Sequence, residues 1–120
     1  MIIMKASRIV RSFGFAFQGI AEAVKTEQNI RIHLLAGLIV LGASFATGLS
    51  SVEWFVVILL IGGMIALEMV NSALERVVDL ATSDQHPLAK QAKDMAAGAV
   101  LVFAAASAII GLLLFLPKWF

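Results

Sequence analysis

The chain has 120 residues, of which 61% are hydrophobic and only 14% charged, with a formal net charge of +1 and no cysteine. A soluble domain carries about 25% charged residues to cover its outside, so a water-soluble globule and a disordered tail are excluded. So small a net charge excludes the field that steers a nucleic-acid binder, and the lack of cysteine excludes disulfides, Cys-ligated zinc and thiol catalysis.

The first element in chain order is a helix over residues 1–33. Ile9, Phe13, Phe17, Ile20 and Val24 recur at spacings of three and four, which places them on one face. Lys5, Arg8, Arg11, Gln18, Glu22 and Lys25 lie mainly on the other. A basic, phenylalanine-bearing amphipathic helix lies in the plane of the headgroups. The basic region is long and no early apolar core with a cleavage site follows it, which argues against a secretory signal peptide.

Three runs free of charged residues and histidine follow, at residues 34–52, 54–67 and 95–117. A helix needs about 20 residues to cross a hydrocarbon core of about 30 Å. The first and third runs suffice. The second crosses only if it continues to about Leu74, which draws Glu68 and Asn71 into the membrane. The fold class expected is therefore an all-α integral membrane protein, with residues 34–120 forming a three-span domain after the surface helix.

Eight of the nine lysines and arginines precede the first span, lie between the second and third, or flank them on that side; Lys118 is the exception. The bias of Lys and Arg toward the cytoplasm puts the N-terminal helix and residues 75–94 inside and the C-terminus outside. Seven of the eight acids share the inner side, and only Glu53 lies opposite.

Glu68, Asn71, Glu75 and Asp79 stand at i, i+3, i+7 and i+11. The three acids fall within about 20° of one another on a helix. A carboxylate at the bilayer centre costs about 2.5–3.5 kcal/mol, less toward the interface, and an intramembrane acid is a functional site by default. The plainer roles are a helix-gluing pair for Glu68 and a helix–helix hydrogen bond for Asn71; Glu75 also has Arg31 as a possible partner. Glu27, Lys93 and Asp94 arrive at the same membrane face. Carboxylate oxygens of this kind suit Mg²⁺ together with phosphate, and Lys93 suits phosphate as a point charge. Lys93 and Asp94 also read as a polar helix start, with Lys90 and Asp94 at i, i+4. Residues 82–87 read as a turn with Pro87 at the first helical position, leaving His86 in a loop and His33 as an interfacial anchor. Nucleotide-binding GxGxxG, P-loop and protein-kinase motifs are absent from the sequence.

Gly62, Gly63 and Ala66, the run 96–99 and the run 104–106 let helix backbones approach closely. Three spans bury little polar surface alone, so a homo-oligomer with a shared site is expected.

The blocks from Glu68 through Asn71 and Glu75 to Asp79, from Ala92 through Lys93 and Asp94 to Val100, and Glu27, Gln28, Asn29 with Arg31 resemble the small prokaryotic lipid kinases of the diacylglycerol kinase/undecaprenol kinase family. The likeness runs from about Arg8 to Pro117. It implies a homotrimer in the bacterial inner membrane that transfers the ATP γ-phosphate to a lipid hydroxyl with Mg²⁺. It also implies Glu68 as general base and Glu27 and Glu75 as metal-binding carboxylates. Arg8, Phe15, Asn71, Asp84, Gln85, His86, Lys93 and Asp94, with the two metal carboxylates, match nucleotide-site positions. Arg8, Asn29, Arg31 and Glu68 match the lipid site. Residues 86–90 and 26–29 are most similar to the undecaprenol kinases of Gram-positive bacteria, and His33, Phe15 and Phe17 depart from the diacylglycerol branch. Undecaprenol is thus the expected substrate, with diacylglycerol the alternative. The reading from another class is a non-catalytic oligomer or a cation pathway. A conduit needs polar groups at several depths, whereas residues 54–67 offer none.

Overall fold

The computed structural model describes residues 2–120 as four helices: α1 (Ile2–Thr26), α2 (Gln28–Thr47), α3 (Ser51–Ala81) and α4 (Pro87–Trp119). The last three are long and apolar enough to cross a membrane. At 1.5 Å per residue, α3 and α4 are about 47 and 50 Å long, well beyond a hydrocarbon core of about 30 Å. Their excess is long enough to carry the Asp79 end of the polar stripe and the 82–86 turn beyond the hydrocarbon. The chain is a multi-pass membrane protein.

The helix expected over residues 1–33 is interrupted at Glu27, whose backbone is extended (φ −110°, ψ 111°). Residues 28–33 belong to the first span instead. The physical reason is a capping exchange. Arg31 donates from Nη1 to the carbonyls of Val24 (2.8 Å) and Lys25 (3.0 Å), satisfying acceptors that the end of α1 leaves open. Within α1 only Ala23 is buried. The molecule measures 51 × 47 × 22 Å. Three packed helices at 8–10 Å spacing do not reach 47 Å, so α1 extends sideways from the bundle.

α3 is the central helix, since α2 and α4 pack on it far more than on each other. Two glycines make those seams close. A Cβ on Gly37 would lie 2.9 Å from Ile61 Cγ2, and one on Gly63 would lie 2.7 Å from Phe103 Cζ. Of the expected pair, Gly63 is the packing residue; a Cβ on Gly62 meets nothing within 4 Å.

The turn between α2 and α3 uses Gly48 in a positive-φ conformation (φ 79°), which glycine adopts without a steric cost. Ser50 and Glu53 then form a reciprocal cap: Glu53 N donates to Ser50 Oγ (3.2 Å) and Ser50 N donates to Glu53 Oε1 (2.9 Å). At the same end Lys118 pairs with Glu53 at 3.1 Å and Trp119 Nε1 donates to Thr47 Oγ1 at 2.8 Å. These contacts tie α4 to α3 and α2.

Candidate active site

The stripe on α3 divides into a buried part and a wet part. Glu68 is 3% exposed, Asn71 7% and Ser72 6%, whereas Glu75 is half-buried and Asp79 exposed. A helical period brings Glu68, Asn71 and Glu75 to one face, and α2 covers the buried end. His33 of α2 reaches Glu68, with Nε2 and Oε2 3.7 Å apart. His33 is thus more than an interfacial anchor, because its ring is the polar group that meets the buried carboxylate. Asn71 Nδ2 makes a long hydrogen bond of 3.5 Å to Glu75 Oε1, and Asn71 Oδ1 is buried with no partner. An unsatisfied buried acceptor is costly and marks a place built for a further donor or cation.

Glu27, at the break between α1 and α2, is partly exposed and pairs with Arg76 of α3 at 3.3 Å. Arg76 Nη2 also donates to Thr26 Oγ1 at 2.7 Å. Glu27 is therefore held against α3 one residue beyond Glu75. Among the described residues no three of His, Asp and Glu converge as a cation cage. Two carboxylates that leave positions for phosphate oxygens are the arrangement magnesium favours. Glu75 and the unpartnered Asn71 Oδ1 beside it supply oxygen donors that fit that ion, while the Glu27 carboxylate is paired with Arg76.

A second group surrounds the 82–86 turn. An open cleft of about 790 Å³ is lined by Asp79, Asp84, Gln85, His86, Lys90, Lys93 and Asp94, among others. Asp84 N donates to Thr82 Oγ1 at 3.2 Å, and the Leu88 amide donates to His86 Nδ1 at 3.1 Å. His86 is thereby the N-cap of α4, with Pro87 at its first position as expected. Lys93 forms an ion pair with Asp79 across the turn, and Lys90 pairs with Asp94 at 2.6 Å.

The structure thus gathers Glu68, Asn71 and Glu75 on one stripe, with Glu27 fixed to the adjoining residue. It gathers Asp84, Gln85, His86, Lys93 and Asp94 around the cleft. Asn29 is exposed in the first turn of α2. Arg31, whose ordinary alternative was a pair with Glu75, caps α1 instead. Arg8 and Phe15 lie on the exposed stretch of α1 and do not line this cleft. Sequence reasoning missed Arg76 as Glu27's partner. The two are 49 residues apart, and no local pattern connects them. Sequence reasoning missed His33 at Glu68 as well: only when α2 is counted from Gln28, a start that no proline or glycine marks, does it stand about as deep as Glu68.

Comparison with known proteins gives a consistent picture. The sequence profile described as prokaryotic diacylglycerol kinase matches residues 14–115. The chain is 54% identical over 112 residues to an undecaprenol kinase of Bacillus subtilis, covering 93% of this chain and 91% of that protein. It is 42% identical over 113 residues to a diacylglycerol kinase of Synechocystis, covering 93% of this chain and 65% of the other. A diacylglycerol kinase of Haemophilus influenzae is 29% identical over 96 residues, covering 80% and 81%.

Proposed function

The chain belongs to the prokaryotic diacylglycerol kinase family, and from that premise we propose that it transfers the γ-phosphate of ATP to the hydroxyl of undecaprenol, yielding undecaprenyl phosphate. It is a membrane lipid kinase. Undecaprenol is favoured over diacylglycerol because the similarity to the B. subtilis undecaprenol kinase is much higher than to the diacylglycerol kinases above.

The observation that carries the mechanism is the burial of Glu68 in the apolar part of α3, 3% exposed beside an imidazole. A lipid alcohol presents its hydroxyl just below the headgroups, where a soluble base does not reach. Glu68 accepts that proton as the oxygen attacks the γ-phosphorus, the work of a general base. His33 orients the carboxylate. Lys93, released from Asp79, meets phosphate oxygens as a point charge, and Asn71 and Asp94 border the nucleotide. Asp84, Gln85 and His86 form the turn over it, while Arg8 and Phe15 of α1 are assigned to the nucleotide, and Arg8, Asn29 and Arg31 to the headgroup, on the family resemblance alone. Glu27 and Glu75 would hold Mg²⁺, which would neutralise charge on the phosphates. The remaining catalytic power comes from placement and preorganised charge.

The working unit is a homotrimer. Within one chain the most apolar stretch of α4 is 6% buried, and the polar stripe of α3 is only partly covered, which suits helices supplied by neighbouring chains. α1 forms the surface segment in the headgroup plane, and α2, α3 and α4 form the three-span kinase domain. The protein sits in the bacterial inner membrane with its N-terminus and active site cytoplasmic and its C-terminus outside.

The test gives purified protein γ-labelled ATP with undecaprenol or diacylglycerol and follows label into the organic phase. Label is expected in undecaprenol at the higher kcat/KM. Exclusive labelling of diacylglycerol contradicts the substrate assignment, and no labelled lipid contradicts the reaction.

A further inference from the structure

Because α2 and α4 each pack on α3 but scarcely on each other, a gap runs between them over the surface of α3. It is an apolar groove of about 510 Å³, floored by Val57, Ile61 and Met64 and running from His33 at one end to Trp119 at the other. His33 is also the side chain that meets Glu68, at 3.7 Å. The groove therefore begins one side chain away from the candidate base.

Its depth is informative. Val57 is eleven residues from Glu68 along α3, about 16 Å of helix axis. Glu68 itself lies six residues, about 9 Å, inside the cytoplasmic end of the span taken at Leu74. In a core of about 30 Å the groove thus passes the bilayer midplane, beyond the depth at which the acyl chain of a one-leaflet lipid ends. A largely apolar groove of this length loses dispersion contacts along its lining unless a chain fills it.

We propose that the groove holds the isoprenoid tail of the lipid alcohol, with its hydroxyl end at Glu68, so that the enzyme selects chains longer than one leaflet. This rests on the kinase reading above. Gly111 provides the test. It lines the groove, and a Cβ there meets nothing within 4 Å, so the side chain of Gly111→Leu starts into open groove. It lies sixteen residues beyond Met95, about 24 Å into the third span, out of reach of geraniol but within reach of undecaprenol.

The experiment measures kcat/KM of the full-length protein in nanodiscs for both alcohols. Gly111→Leu is expected to lower the undecaprenol-to-geraniol ratio about tenfold, the factor for roughly two methylene groups losing burial. An unchanged ratio overturns the proposal. So does an equal loss on both alcohols with dissociation of the assembly on size exclusion, which makes the groove a seat for another chain's helix. Wild-type protein inert toward both alcohols overturns the undecaprenol reading on which the proposal rests. A second measurement needs no groove variant. In Trp54→Phe protein Trp119 is the sole indole, and brominated undecaprenol is expected to quench it saturably, with relief by undecaprenol. Quenching that rises linearly with membrane content and resists competition contradicts the groove as the tail's site.

Discussion

The two ends of the bundle treat polar groups in opposite ways. At the end that holds the α2–α3 turn, the outer one in the proposed orientation, the side chains of Thr47, Ser50, Glu53, Lys118 and Trp119 are engaged. Ser50 and Glu53 cap each other, Lys118 closes on Glu53, and Trp119 donates to Thr47. Aromatic pairs Phe45–Trp54 and Phe115–Trp119 pack beside them, with centroids 4.8 and 5.2 Å apart. At the inner end a buried carboxylate has only an imidazole at 3.7 Å, and the amide oxygen of Asn71 has no partner. The outer groups hold helices together. The inner ones bear the cost of burial without complete pairing, which marks them as groups kept for a ligand.

Substitutions at the two ends sharpen this contrast. The largest effect is expected from Glu68→Gln, which keeps shape and removes the base: kcat should fall about 10²–10⁴-fold while size exclusion shows an intact assembly. Turnover within a few-fold of wild type removes Glu68 from the chemistry. Glu75→Gln should raise the magnesium concentration for half-maximal activity about tenfold or more, and a superimposable magnesium titration counts against its role. Between the two ends, Gly63→Val forces a Cβ against Phe103 and should lower unfolding stability by about 1–3 kcal/mol. The same change at open Gly62 should cost less, and equal melting shifts contradict the close seam. At the outer end Glu53→Gln loses a partly exposed ion pair and half of a cap, at most about 1 kcal/mol in thermal melts. Its KM values should match wild type, and a large catalytic loss would break the contrast between the ends.

The three spans and the carboxylate stripe were legible because both follow from periodicity and run length. The break at Glu27 was not, since no proline or glycine marks it. It depends on Arg31 reaching back to two carbonyls of the preceding helix. That misplaced boundary put His33 at the membrane edge and hid its meeting with Glu68. The Lys90–Asp94 pair and the start of α4 at Pro87 followed from local spacing. The pairs Glu27–Arg76 and Lys93–Asp79 did not, because each is made only when separate helices pack.

The most direct test of single-step transfer to the lipid hydroxyl uses ATP made chiral at its γ-phosphorus with oxygen isotopes, followed by analysis of the undecaprenyl phosphate. Direct attack by the lipid alcohol on the γ-phosphorus, with ADP leaving, predicts inversion at phosphorus. Retention would mean that an enzyme side chain first takes the phosphoryl group, which contradicts the direct transfer proposed.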